Sequence, residues 1–277
     1  MLKPLKSKDR VSYYNPGNII SNKHLKTHCF IFSWEGWSNQ AEKLEENFKQ
    51  CNLFDKITVI NSDPDNQLSH WVNLDEDAFF GRQWEAALSE FEGDLFFHIQ
   101  ADVKIPNSIG INKIIESAIY YFNNLNCSIY APDIDFTGWS NEKACISKDM
   151  INFLGFPSKI LAAINTDCSC WFIDSKTLQE FKEKYLNDFV ELSPLGWGVS
   201  SVMAGIGWKN KMPVIRDLSH ELLHPKFTNY SQSQAMNGLK FFINSIKDEY
   251  VADFMNKSFK DPYSAKILAL KSIAQVQ

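Results

Sequence analysis

The sequence predicts an α/β fold in which buried strands alternate with helices and end along one ligand-binding edge. Three observations predict it. Short apolar runs recur at His28–Ser33, Lys56–Ile60 and Leu95–Ile99, the segments between them space apolar residues as a helix does, and each run stops in polar residues. Runs this short and this apolar suit strands covered on both faces, as in parallel sheets flanked by helices.

The first strand holds Cys29, Phe30, Ile31 and Phe32 and gives way to Ser33-Trp34-Glu35, with Gly36 and Ser38 as breakers. Asn39–Cys51 reads as a helix, with Ala41, Leu44 and Phe48 on one face and Glu42, Lys43, Glu45, Glu46 and Lys49 on the outer one. Lys56–Ile60 is the second strand, stopped by Asn61-Ser62-Asp63-Pro64, so strand, helix and strand predict a right-handed parallel crossover. Arg82–Phe91 is the next helix, with Gly93 as its expected C-terminal cap. Leu95–Ile99 then runs into Gln100-Ala101-Asp102. Further helix is predicted over Ile109–Asn123 and Ser175–Tyr185, the latter with Ser175 as N-cap, and over most of the chain from Ser231. Short strands are predicted at Ser128–Pro132, Trp171–Ile173 and Met212–Arg216.

Composition removes several function classes. A net charge of −5 with no long Lys/Arg run argues against a nucleic-acid partner, because phosphate neutralisation dominates that affinity. The basic stretch Met1–Arg10 lacks the apolar segment of a signal peptide, and no run of about 18 apolar residues occurs. The expectation is a cytoplasmic protein whose basic stretch is solvated, with weak association at the inner face of the membrane as the alternative. Cys168-Ser169-Cys170, the one close cysteine pair, lacks the spacer of a zinc knuckle, so free thiols are expected. No GxGxxG follows the first strand, which disfavours a Rossmann dehydrogenase. His220 and His224 stand four apart, as in a helical zinc site, but Pro225 follows directly and the run reads at least as well as extended.

In an open α/β sheet the polar residues just after buried strands face the crevice. Ser33-Trp34-Glu35, Ser62-Asp63 and Gln100-Ala101-Asp102 occupy such places. Their chemistry suits stacking on a base, binding a ribose, and holding a divalent metal on a diphosphate.

The run Phe80-Gly81-Arg82-Gln83-Trp84, then Glu92-Gly93-Asp94-Leu95-Phe96-Phe97-His98-Ile99-Gln100-Ala101-Asp102-Val103 and Pro106, resembles the donor-site segment of GT-A glycosyltransferases (family 2-like). That segment joins a Gly-Asp pair, an apolar strand and a DxD motif. Leu195-Gly196-Trp197-Gly198-Val199-Ser200 is similar to the family's Gly-Trp-Gly segment, and Arg216-Asp217, His220, His224-Pro225 and Tyr230 to its late strand and metal-proximal histidine. The resemblance covers about Cys29–Tyr230. It implies a GT-A (Rossmann-like) mixed, mainly parallel sheet flanked by helices, with a helical C-terminal tail. The implied organisation is an N-terminal extension at 1–27, a catalytic domain at 28–230 (nucleotide-binding half 28–106, acceptor-binding half 107–230) and a helical segment at 231–277.

The resemblance further implies transfer from a nucleotide-sugar donor to a glycan or lipid-linked acceptor, in surface-polysaccharide synthesis. Asp102 matches the second Asp of the DxD and, with His224, would hold Mn²⁺ or Mg²⁺. Gln100 replaces the first Asp and offers hydrogen bonds without charge. Ser33, Trp34, Asp63, Arg82 and Ala101 complete the expected donor site, and Trp139, Trp197 and Gly198 the acceptor side. Where inverting members place the catalytic base, an Asp or Glu, this chain has Val199, Ser200 and Ser201. Either the base comes from elsewhere, with Asp167 and Asp135 as candidates and Asp133 nearby, or the enzyme is retaining, or the chain has lost activity. A non-catalytic nucleotide-sugar-binding homologue and a sugar-phosphate nucleotidyltransferase are the alternatives; the latter usually has a Gly-rich phosphate loop, and residues 28–40 contain only Gly36.

Overall fold

The computed structural model describes residues 11–14, 23–76, 78–106, 110–153, 155–226 and 230–274. The basic stretch Met1–Arg10 and the predicted helix start at Ile109 lie outside them. The strands are β1 (Val11–Tyr14), β2 (Thr27–Ser33), β3 (Lys56–Asn61), β4 (Val72–Asn73), β5 (Leu95–Gln100), β6 (Ile129–Ile134), β7 (Ile151–Phe153), β8 (Ile160–Ala162), β9 (Cys170–Asp174) and β10 (Val214–Leu222). The helices are α1 (Ser38–Cys51), α2 (Phe80–Glu90), α3 (Ile111–Leu125), α4 (Asn141–Ala144), α5 (Ser175–Lys184), α6 (Leu186–Leu192), α7 (Val199–Lys209), α8 (Gln232–Ser245), α9 (Glu249–Lys260) and α10 (Pro262–Ala274).

Among the described residues, eight strands form one sheet in the order β4-β3-β2-β5-β9-β6-β10-β8. β2 is parallel to β3 and β5, and β6 is parallel to β10, whereas β9 runs antiparallel to both β5 and β6. β1 and β7 make a separate parallel pair. The sheet is thus mixed and mainly parallel, with helices packed against it and helices closing the chain. Every residue of β2 is buried, as the uninterrupted apolar run requires. Aromatic rings fill the interior: Phe97 on β5 stacks on its cross-strand partner Phe172 on β9 at 4.3 Å, and Trp84 of α2 stacks on Phe96 at 5.2 Å.

Several local expectations are corrected. α2 ends at Glu90 and Phe91 is already extended, so Gly93 lies beyond the helix end and does not cap it. Asp174 caps α5, its Oδ1 accepting the N–H groups of Lys176 (2.9 Å) and Thr177 (3.2 Å), and Ser175 is inside the helix. Glu45, expected on the outer face of α1, is buried, where it accepts the Trp71 indole N–H at 2.8 Å and pairs with Lys49. A carboxylate so partnered can leave water. α6 and α7 were not foreseen. α7 is buried from Val199 to Trp208, and without a polar face it gives little periodic signal. No described helix is long and apolar enough to cross a membrane.

Candidate active site

The strand directions decide which loops meet. β2, β3, β5, β6 and β10 all end on one edge of the sheet, while β9 begins there. Residues after the first five strands therefore share that edge with residues before β9, namely Asp167, Cys168 and Ser169. This is the crevice side of an open sheet.

Asp102 sits at its centre. Ala101 N–H donates to Phe32 O (2.9 Å), and Lys104 and Leu223 exchange both backbone hydrogen bonds (2.9 and 3.0 Å). That short antiparallel bridge carries the segment after β10 across the end of β5 and sets His224 beside Asp102. His224 Nε2 lies 3.6 Å from Asp102 Oδ2, too far for a hydrogen bond. His224 Nδ1 is 2.8 Å from Pro225 O, a group that only accepts, so Nδ1 holds a proton and Nε2 is the nitrogen that faces the carboxylate. Asp102 is buried, and its Oδ1 has no hydrogen-bond partner. Burial pushes its carboxyl above the usual range, His224 partly offsets this, and nearby Asp167 adds to the rise. An unpartnered carboxylate oxygen beside an imidazole nitrogen is a pair of groups that can serve a divalent cation.

Asp167 is half-buried and firmly held. Its Oδ2 accepts from Thr137 Oγ1 (2.7 Å), and its Oδ1 accepts from Ser169 N (2.9 Å) and Ser169 Oγ. Thr137 Oγ1 in turn accepts the Trp139 N–H at 3.1 Å, which fixes its proton toward Asp167. Asp135 is bound up with the backbone instead. Its Oδ1 accepts the N–H of His224 (2.8 Å), and its own N–H binds Leu222 O (2.9 Å). Asp133 is committed to buried Arg216, with Nη2 at 3.0 Å, while Arg216 Nη1 donates to Trp139 O. The loop from Asp133 to Trp139 is thereby tied to both the His224 segment and Asp167.

The remaining candidates divide. Asp63 is buried, accepting Gly36 N at 3.1 Å and Asp65 N at 3.0 Å, and so fixes the loop after β2 against the end of β3. Trp34 stands half-buried in that loop, 6.3 Å from the Trp37 ring. Ser33 is fully buried with an unpartnered Oγ, and its carbonyl accepts Gln83 Nε2 at 2.6 Å. Gln100 is half-buried and Ala101 fully buried. Arg82 is exposed on α2 and pairs with Glu85. The Trp139 ring meets Phe259 at 5.2 Å and lies under Lys143 Nζ at 4.7 Å. Trp197 is half-buried between Gly196 (φ +88°) and Gly198 (φ +101°), and a Cβ at these glycines would fall 2.1 Å from Phe80 Cδ1 and 2.8 Å from Leu239 Cδ1. Val199, Ser200 and Ser201 are buried in the first turn of α7, where Ser201 Oγ accepts Asn165 Nδ2 at 2.6 Å. His220 lies within strand β10, 3.7 Å from Asp217 and 3.4 Å from Ser117 Oγ, so His220 and His224 do not share a helix. Thr137 was not among the expected site residues, because a lone Thr in a polar loop carries no pattern.

The chain is similar to the crystal structure of GalNAc-T7 with UDP, GalNAc and Mn²⁺ at a TM-score of 0.55 and 12% identity, over 86% of this chain and 52% of that one. It is also similar to the mannosyltransferase PcManGT from Pyrobaculum calidifontis in complex with GDP-Man and Mn²⁺, at a TM-score of 0.55 and 9% identity, over 92% of this chain and 75% of that one. The chain has the GT-A fold. It spans about half the length of GalNAc-T7. No protein-family model matches it, and no curated protein matches it in sequence. The antiparallel members of the sheet are β9, between β5 and β6, and β8, beside β10, in keeping with the mixed sheet expected of a GT-A fold.

Proposed function

We propose that this protein is a glycosyltransferase that moves a sugar from a nucleotide-sugar donor to a hydroxyl of a glycan or lipid-linked acceptor. One observation carries the reading: at the crevice edge of a GT-A fold, buried Asp102 has an unpartnered Oδ1, and its Oδ2 lies 3.6 Å from Nε2 of His224. Asp102 and His224 would hold Mn²⁺ or Mg²⁺, which supplies positive charge to the departing diphosphate. Gln100 adds no charge, so a bound metal would depend on these two side chains for its protein ligands. Trp34 and Asp63 belong to the nucleotide-binding half (28–106). Trp139, Trp197 and Gly198 belong to the acceptor-binding half (107–230). Of the two base candidates, both already accepting hydrogen bonds, Asp167 is favoured because it lies within electrostatic reach of Asp102.

The reaction breaks the bond between the anomeric carbon and the diphosphate oxygen, which keeps the electron pair. The acceptor oxygen bonds that carbon, and its proton passes to Asp167. The test is turnover of UDP-, GDP-, CMP- and dTDP-sugars with and without Mn²⁺, by wild type and Asp102→Ala. Activity that collapses in the variant supports the reading; full activity in Asp102→Ala sinks it. The buried Val199-Ser200-Ser201 turn favours one second reading, a non-catalytic homologue that binds nucleotide-sugar without turnover.

A further inference from the structure

The strand that delivers His224 changes register on its way to the site. β10 pairs with β6 in step from Val214 opposite Ile129 to Asp217 opposite Pro132, and pairing then resumes with Glu221 opposite Asp133 and Leu222 opposite Ile134. Leu218, Ser219 and His220 therefore have no partners on β6 and form a bulge. In an unbroken register Ser219 would face Ile134, and Glu221 would arrive where His224 now stands. One buried side chain closes the bulge. Asp217 Oδ1 accepts the Ser219 N–H at 2.8 Å, and its Oδ2 accepts from the Tyr130 hydroxyl of β6 at 2.8 Å. We propose that Asp217, held by Tyr130, is a positioning residue for the metal site, because it folds the bulge that sets His224 beside Asp102; this rests on the metal role given to those two residues above.

The chain is anchored on both sides of the bulge. Before it, Asp217 pairs with Ile160 of β8, and the Leu218 N–H binds Lys159 O at 3.0 Å. After it, Leu222 O accepts the Asp135 N–H, Leu223 exchanges two backbone bonds with Lys104, and the His224 N–H binds Asp135 Oδ1. These later contacts all need the chain three residues further along than an unbroken β6 pairing would bring it. Successive side chains of a strand face opposite ways, so an odd number of extra residues also decides which face each later side chain takes. With the bulge in place Leu222 is fully buried beside its register partner Ile134. Bulges next to ligand sites re-aim side chains in this way. The latch itself is dry: Tyr130 and Asp217 are both buried, so either group deprived of the other has no water to replace it. Burial and the Asp217 charge push the Tyr130 phenol well above its ordinary range, which keeps its proton in place as the donor. The other contact of the bulge, His220 Nε2 with Ser117 Oγ of α3, is longer at 3.4 Å.

The experiment titrates Mn²⁺ by calorimetry into wild type, Asp217→Ala and Tyr130→Phe, below the unfolding temperature of each, and follows hydrogen exchange at the Leu223 and His224 amides. Asp217→Ala should weaken Mn²⁺ by about 10–100-fold, the range for losing a group that orients a metal ligand. Tyr130→Phe, which removes only the hydroxyl, should weaken it several-fold. In both variants the two amides should exchange faster while the amides of β2 and β5 keep their wild-type rates. A latch that serves stability alone would lower the unfolding temperature and leave Mn²⁺ affinity unchanged in the folded protein, and that result overturns the proposal. Faster exchange spread evenly over β2 and β5 overturns it too. Where Asp217→Ala does not fold, Tyr130→Phe decides alone by the same criteria. Wild type that binds no Mn²⁺ defeats the metal role of Asp102 and His224 itself, and this inference with it.

Discussion

Asp133 and Asp102 lie on the same edge of the sheet, with side chains 14% and 10% exposed, yet their surroundings differ in kind. Asp133 receives Arg216 Nη2 at 3.0 Å, Asn141 Nδ2 at 3.2 Å and the Ile134 N–H at 3.1 Å. Asp102 faces a histidine beyond hydrogen-bond range and leaves one oxygen without a partner. The first carboxylate is completed by the protein and holds a loop. The second is completed by nothing among the described residues, and its raised carboxyl pKa registers that deficit. Equal burial therefore separates a structural acid from a reactive one only once their partners are compared.

That contrast can be broken at either end. Arg216→Met leaves the largely covered Asp133 without its only cation, and should cost about 3 kcal/mol of stability in denaturant unfolding. A loss within about 1 kcal/mol, in the range of an exposed pair, would erase the distinction. Asp102→Ala should reduce turnover by on the order of 10²–10³-fold while unfolding at or above the wild-type temperature.

The aromatic interior provides a control away from both acids. His98 is fully buried, and burial lowers its pKa from 6.5 to about 3; His28, lowered to about 4, owes its shift to burial and Lys56. The unfolded chain thus binds protons that the folded chain refuses. Stability should be complete above about pH 6.5 and fall as the pH drops toward 3, by up to about 1.4 kcal/mol per pH unit from His98 and less from His28. Melting curves across that range in wild type and Asp102→Ala should show the same acid arm; an arm that vanishes in the variant would place its origin at the site.

The smallest effect is the most discriminating. With its folded pKa raised, Asp102 costs no stability below the unfolded pKa, and its penalty grows as pH rises through the folded value. Asp102→Asn, without metal, should be more stable than wild type by about 1 kcal/mol at neutral pH, and the gap should close in acid. A variant less stable than wild type at neutral pH would make Asp102 structural after all.

Much of this was legible in the sequence, for identifiable reasons. β2, β3 and β5 are covered by helices and neighbouring strands, so their apolar runs and polar ends mark both the strands and the edge where the site lies. The pairing of Asp102 with His224 followed from family resemblance, and the Lys104–Leu223 bridge gives it a physical cause. The rest depended on partners distant in sequence. β9 was read as a strand, but its position between β5 and β6 is a matter of topology that its own residues do not encode. Glu45 looked like a surface residue because Trp71, which permits its burial, lies 26 positions away. Asp135 and Asp167 looked alike in sequence and differ only in what the folded loops bring to each.

The turn around Trp197 has a consequence for how such a site can diversify. Gly196 and Gly198 hold backbone angles that side chains avoid, one set against Phe80 at the start of α2 and the other against Leu239 of α8. A side chain at either glycine would strain the backbone and have to push aside Phe80 or Leu239. Change is therefore channelled to Trp197 itself. A population of variants selected for new acceptors should accumulate substitutions at that position and in the loop facing it, with the two glycines left as fixed hinge pins.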